Sequence, residues 1–433
     1  MSPIRSNLAR VTSVSLVGLL WLYFHPIPGD EVSVLVVGIV VASVVLSFVL
    51  SRVSFVSQWP LHRPLVILVG AVFSIAVFSS QIVLPGIGSF REVLVVAAVV
   101  FLGYAIGVQL GLRSALAGVL AGSVLVAILG WVLRADDGLL LSLDFFTGDG
   151  SVFRGLTGNR QYEFFSSLLG VAAGLELIRR TERFRPLSAS LVAFLAFTLL
   201  TTGSVTGAVS LVAVILTAGL VMFLPSERGW KSRIAPIMGA SAVAGLSLFM
   251  VTNRALSADL AASVGKEVSL DARIASWQYA LQSIDLPGWV FGHGVSFWSV
   301  ESPYREAVGT SLATDGYISF SHAHSAFLDL LLSFGILGLG IIVAAVVLTR
   351  RVIRRVSRAQ KREPVFFVWI LLSAFVVSGL VESIASSRPS AWFMIALVVA
   401  AFIAENAPPQ QGEPELSEAT WWAPSGSNRR PTD

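Results

Sequence analysis

The stretch SHAHSAFLDLLLSFGILGLG, Ser321 to Gly340, decides how this chain is read. Two histidines, His322 and His324, stand at the mouth of an apolar helix, directly after a more polar segment that begins at Asn253. On either side the sequence is built from runs of Val, Leu, Ala, Ile and Gly. Of 433 residues, 55% are hydrophobic and 13% charged, where an ordinary soluble domain carries about 25% charged residues. Histidines at such a boundary must be held by polar partners, water or a substrate. Chemistry is therefore expected at this junction.

A helix needs roughly 20 mostly apolar residues to cross the hydrocarbon, and backbone groups in lipid must be satisfied within the segment. That length places twelve spans, near 11–25, 32–50, 64–84, 92–109, 113–133, 161–178, 186–202, 205–224, 233–252, 322–349, 364–381 and 390–405. The expected fold is an all-α polytopic membrane protein with one large external loop between the ninth and tenth spans. Four regions follow: nine spans in 1–252, the loop in 253–321, three spans in 322–405, and a tail in 406–433. The tail is rich in Pro, Gly, Ser and Glu and buries too little apolar surface to offset its ordering entropy, so disorder is expected there.

Arginine and lysine in short loops favour the cytoplasmic side. With the N-terminus inside, 21 of the 30 basic residues are cytoplasmic, among them Arg179, Arg180, Arg183 and Arg185 in one loop and Arg350, Arg351, Arg354, Arg355 and Arg358 in another. Both termini are thus expected in the cytoplasm. The net charge of +4 follows from this topology and calls for no nucleic acid. Basic inner loops also suit membrane lipids with anionic headgroups. The absence of cysteine excludes disulfides and thiolate metal sites. The first span reads as a retained anchor, because HPIPGD after it lacks a small-residue cleavage pattern.

Within the outer segment, Asp271 to Ile284 reads as a helix whose apolar stripe is Leu270, Ile274, Trp277, Leu281 and Ile284. Pro287 and Gly288 are expected to end it, and Arg273 sits at the edge of the stripe. Gly292 and Gly294, flanking His293, mark a turn that admits close backbone approach. Phe297 to Phe320 reads as irregular.

Histidine suits general-base work because its unperturbed pKa near 6.5 lies close to working pH. A metal is the competing use of the H-x-H pair, with Asp315, Asp329 and Glu301 nearby, but no third ligand has a recognisable spacing. Arg91, Arg160, Arg273 and Arg388 lie near span ends on the outer side, against the insertion bias. A guanidinium grips phosphate bidentately and stays charged, as a diphosphate-linked lipid would require. The plain alternative is pairing with Glu92, Glu163, Asp271 and Glu382.

Arg273 with Trp277, the Gly292/Gly294 pair, H-x-H-S and G-I-L-G-L-G together resemble the O-antigen ligase and polymerase superfamily of bacterial membrane glycosyltransferases. The resemblance runs directly over Asp271 to Ile342, and GLTGNRQYEFF, Gly155 to Phe165, is similar to the segment leading into a middle span of that family. Three departures stand out: Gln161 and Ser325 where Asn is usual, and TTGSVTG, Thr201 to Gly207, which lacks the usual arginine.

The resemblance implies a GT-C-like helical architecture in the bacterial inner membrane. It implies glycan transfer from an undecaprenyl-diphosphate-linked donor to a glycan or lipid acceptor hydroxyl outside, with inversion and without metal or other cofactor. His324 would take the acceptor proton, with His322 orienting the acceptor or sharing that role. Arg273 would stabilise the departing diphosphate. Arg91, Arg160 and Arg388, with Trp277, Gly292, Gly294 and Asp329, would line the substrate site. The alternative is a polytopic transporter or flippase of lipid-linked oligosaccharide, for which twelve spans are also a common plan.

Overall fold

Runs of Leu, Val, Ala and Ile long enough to bury a helix on several sides give this chain its helices, and no strand occurs among the described residues. The computed structural model describes residues 70, 74, 87–133, 160–182, 184–223, 270–294, 297, 302–314, 323–359, 370, 378–379 and 389–405. In chain order the helices are α1 (Ile87–Leu133), α2 (Arg160–Arg180), α3 (Arg185–Thr201), α4 (Val205–Phe223), α5 (Leu270–Gln282), α6 (Leu286–Phe291), α7 (Pro303–Thr314), α8 (Ala326–Ala359) and α9 (Pro389–Glu405). The spans expected at 11–25, 32–50 and 233–252, almost all of 64–84 and 364–381, and the tail from 406 lie outside the described residues.

Helix α1 covers the fourth and fifth expected spans and breaks between them at Gly111, with φ 68° and ψ 159°. Only glycine takes that conformation readily. Of the N–H groups released by the break, that of the buried Leu112 donates to Glu405 Oε2 at 2.9 Å, which ties the end of α9 to the restart of α1. The stretch Gly111–Val132 is long and apolar enough to cross a membrane, and Arg185–Thr201, Thr206–Gly219 and Ala326–Gly340 are shorter apolar stretches.

One core joins α1, α2, α3, α4 and α9 through Leu112, Leu116, Phe164, Leu168, Leu195, Val214 and Phe402. Small residues bring the helices close: a Cβ at Gly107 would meet the α9 backbone at Leu397, and one at Gly170 would meet Ser123 and Leu195. Interhelical hydrogen bonds supplement this packing, from Ser123 Oγ to the Ser166 carbonyl at 2.9 Å and from Trp131 Nε1 to Thr198 Oγ1 at 3.1 Å. Contacts of this kind substitute for hydrophobic driving force between apolar helices. At the expected inner end of the sixth span, the buried Glu176 binds Arg179 and Arg180.

A second, smaller core holds α5, α7 and the start of α8 together through Ala280, Ile284, Phe297, Val308, Leu312, Ala323 and Leu332. It departs from the sequence expectation in two places. The segment read as irregular contains α7, which begins at Pro303, where a missing N–H costs nothing. Pro287 and Gly288 do not simply stop α5. They belong to the first turn of a new helix, α6, whose N-cap Asp285 accepts from Gly288 N at 2.9 Å.

Candidate active site

The junction quoted at the outset is built from helix-capping chemistry. Ser325 caps α8: its carbonyl accepts from Asp329 N at 2.9 Å and its hydroxyl faces Leu328 N at 3.4 Å. Asp329, buried in the first turn, reaches back and accepts from Ala323 N at 3.1 Å. Its negative charge also suits the positive end of the helix dipole. The Ala323 carbonyl meanwhile accepts from Trp277 Nε1 on α5. Ala323 is thus held at both its N–H and its C=O, by two different helices.

His324 is the residue between that clamp and the cap. Its φ is +52°, the one positive value at a non-glycine residue among those described. A side chain in that region costs of order 1–3 kcal/mol unless its surroundings impose it, and the bonds on either side of His324 do so. His324 is half-buried at the mouth of α8.

Arg273 and Trp277 are four residues apart on α5 and so share one face of that helix. Trp277 docks that face on Ala323, next to His324, and Arg273 is half-buried one turn away. The structure therefore docks α5, the helix that carries Arg273, on the loop that carries the histidine. Asp329 serves this arrangement through Ala323, and Gly292 and Gly294 serve it through the backbone.

These two glycines have φ of +76° and +79°. They let His293 N and Gly294 N donate to the carbonyls of Leu332 and Ser333, at 2.7 and 3.0 Å. In an unbroken helix those carbonyls would be taken by Ile336 and Leu337. Helix α8 is broken instead at Gly335, with φ 63° and ψ −172°. A Cβ at Gly292 would strike the Ser333 carbonyl, and one at Gly335 would strike the Val290 carbonyl. Replacing Gly335 by alanine should therefore cost about 1–3 kcal/mol for backbone conformation alone, with the steric clash added. A clearly lowered Tm of the purified protein is expected, and an unchanged Tm would show that the break tolerates a side chain.

His293 itself is fully buried, with Nε2 3.3 Å from Asp285 Oδ1 and its ring edge-on to Tyr304 at 4.1 Å. Gly288 leaves room for the imidazole, because a Cβ there would overlap it.

His322 and Arg388 lie outside the described residues. Arg91 falls in α1 and Arg160 opens α2, with their side chains outside the description. The TTGSVTG turn is a capping element: Ser204 Oγ accepts from Gly207 N at 3.1 Å to start α4.

Residues 190–343, from α3 to the middle of α8, match the family described as O-antigen ligase. Over this stretch the chain is similar to O-antigen ligases, which supports the O-antigen ligase and polymerase superfamily. It contains Arg273, Trp277, the glycine pair, both histidines and Asp329. O-antigen ligases are membrane proteins that act on lipid-linked glycans. No curated protein matches the chain.

Within this matched stretch, the backbone roles of three residues escape a reading by residue type alone. Ser325 registered as a substitution for Asn, although Ser before a helical run is itself a cap signal. Asp285 before Leu-Pro-Gly carries the same signal, strengthened by Pro in the first turn. Gly335 had no local signal, because glycines in apolar spans are common and the break is specified by a partner 42 residues upstream, His293.

Proposed function

We propose that this chain transfers a glycan from an undecaprenyl-diphosphate carrier to an acceptor hydroxyl at the outer face of the cytoplasmic membrane, with inversion and without a metal. The observation that carries the proposal is the double clamp on Ala323. It fixes His324 at the helix mouth, and one clamp is Trp277, a single turn from Arg273.

The chemistry follows from the two groups. His324 accepts the acceptor's proton as its oxygen bonds to the anomeric carbon. The bond from that carbon to the diphosphate oxygen breaks on the opposite face, and the diphosphate leaves with the electron pair. Arg273 offsets the charge that gathers there, for which a planar, permanently charged donor is suited. Arg91, Arg160 and Arg388 complete the phosphate-binding surface in this proposal, and His322 orients the acceptor. With the twelve spans and cytoplasmic termini expected from the sequence, the site in this proposal lies on the side to which lipid-linked glycans are delivered.

Translocation of a lipid-linked oligosaccharide is less well supported. In transporters, broken helices commonly expose backbone carbonyls to a coupling ion. Here the Leu332 and Ser333 carbonyls are already filled by His293 and Gly294.

Glycan transfer by washed membranes should survive EDTA undiminished, since no step above uses a divalent ion. Loss on chelation, with restoration by zinc or magnesium, would reassign His322 and His324 as metal ligands.

A further inference from the structure

Helix α8 is too short beyond its break to cross a bilayer. From Ile336 to Leu348, the last apolar residue before Thr349 and Arg350, there are 13 residues. At 1.5 Å per residue they cover about 20 Å of a hydrocarbon core about 30 Å thick. The remaining ~10 Å, about seven residues, must come from the half-helix Ala326–Phe334. Any tilt of the helix increases that share. Leu332, Ser333 and the break at Gly335 then lie below the outer membrane boundary.

The outer segment follows them down. His293 N and Gly294 N are bonded to Leu332 and Ser333, so Gly292 to Gly294 share their depth. Irregular backbone survives at that depth only when protein covers it, and Gly292, His293 and Gly294 are all buried. The approach to this point is α6, six residues long, hence about 9 Å of rise. Its N-cap Asp285 is 57% exposed, as a carboxylate at the polar boundary would be. Its outward residues are apolar: Leu286 is 78% and Val290 39% exposed, and on α8 Ile336 and Leu337 beside the break are 61% and 45% exposed.

We propose that Leu286–Gly294 is a re-entrant element that dips into the outer leaflet, with Leu286 and Val290 packed against lipid acyl chains. The partner of this face is the acyl layer that already surrounds the exposed Ile336, Leu337 and Val343 of α8. The active-site clamp is then anchored from within the leaflet, at the level where a lipid-linked substrate carries its chain. This inference rests on the proposed crossing of the membrane by α8.

The chain has no cysteine, so single nitroxide labels can be placed on the full-length protein in lipid nanodiscs. The labelled variants are Val290→Cys and Leu286→Cys, with Val343→Cys as the reference on α8 and Thr310→Cys on α7 as the aqueous reference. Collisions with oxygen, which partitions into lipid, are compared with those of a water-soluble nickel chelate. The expected result is a shift from nickel-favoured collisions at Thr310 to oxygen-favoured collisions at both Leu286 and Val290, as at Val343. Nickel-favoured collisions at both α6 positions, with Val343 in lipid, would overturn the re-entrant element and leave the crossing of α8 intact. Nickel-favoured collisions at Val343 would overturn the crossing itself. If either α6 variant fails to fold, the other carries the test.

Discussion

Replacing His324 by alanine is expected to lower turnover by about 100- to 10,000-fold, the usual contribution of a positioned general base. Binding of the lipid-linked donor should persist, because in the proposed mechanism the arginines hold the diphosphate and the histidine acts on the acceptor. The fold should also persist, and for a structural reason. Ala323 is clamped by Asp329 and Trp277 through its own backbone, and Ser325 caps α8 independently of the imidazole. Alanine does lose histidine's relative ease in the left-handed region, so the comparison should include His324→Asn, which keeps that ease and lacks the base. Both variants are expected to be inactive with donor bound. Normal turnover in His324→Asn would remove the histidine from the chemistry, and an inactive His322→Ala beside an active His324→Ala would exchange their roles.

Arg273→Ala should cut transfer by roughly 10- to 150-fold, the equivalent of one charge-assisted contact of about 1.5–3 kcal/mol. Expression should be unaffected. Arg273→Lys should recover little, since an ammonium cannot reproduce the planar fork on phosphate. Trp277, which docks α5, remains in both variants, so a loss of activity would report on the guanidinium and leave the docking untouched. Full activity in Arg273→Ala, read as product per molecule of purified protein, would take this residue out of the mechanism.

What could be read without coordinates follows the physics of each signal. The long apolar runs announced α1 to α4 and α9, because burial and backbone satisfaction in lipid leave few alternatives. The stripe from Leu270 to Ile284 announced α5 within two residues of its ends, and Gly292/Gly294 announced a close backbone approach that is present. The irregular reading of 297–320 missed α7, whose weak amphipathicity is offset by tertiary contacts at Val308 and Leu312. The continuous tenth span missed the break at Gly335, because a helix interior gives no local sign that two of its carbonyls are claimed from another segment. In the site, residue types pointed to His324, Arg273 and Trp277. The way they are assembled, through the two polar atoms of Ala323, depends on main-chain groups that every residue carries and that no sequence pattern marks.

The central claim is that this chain breaks the bond between a glycan and its lipid diphosphate, and does not merely move the intact lipid. The most direct test follows the carrier itself. Purified full-length protein, reconstituted with a lipid-diphosphate-linked glycan and an acceptor in the presence of EDTA, should release free polyprenyl diphosphate in step with glycan appearing on the acceptor. Both should fall together in the His324→Asn protein. Donor that changes leaflet while remaining intact, with no diphosphate released, would contradict the account and establish a translocator.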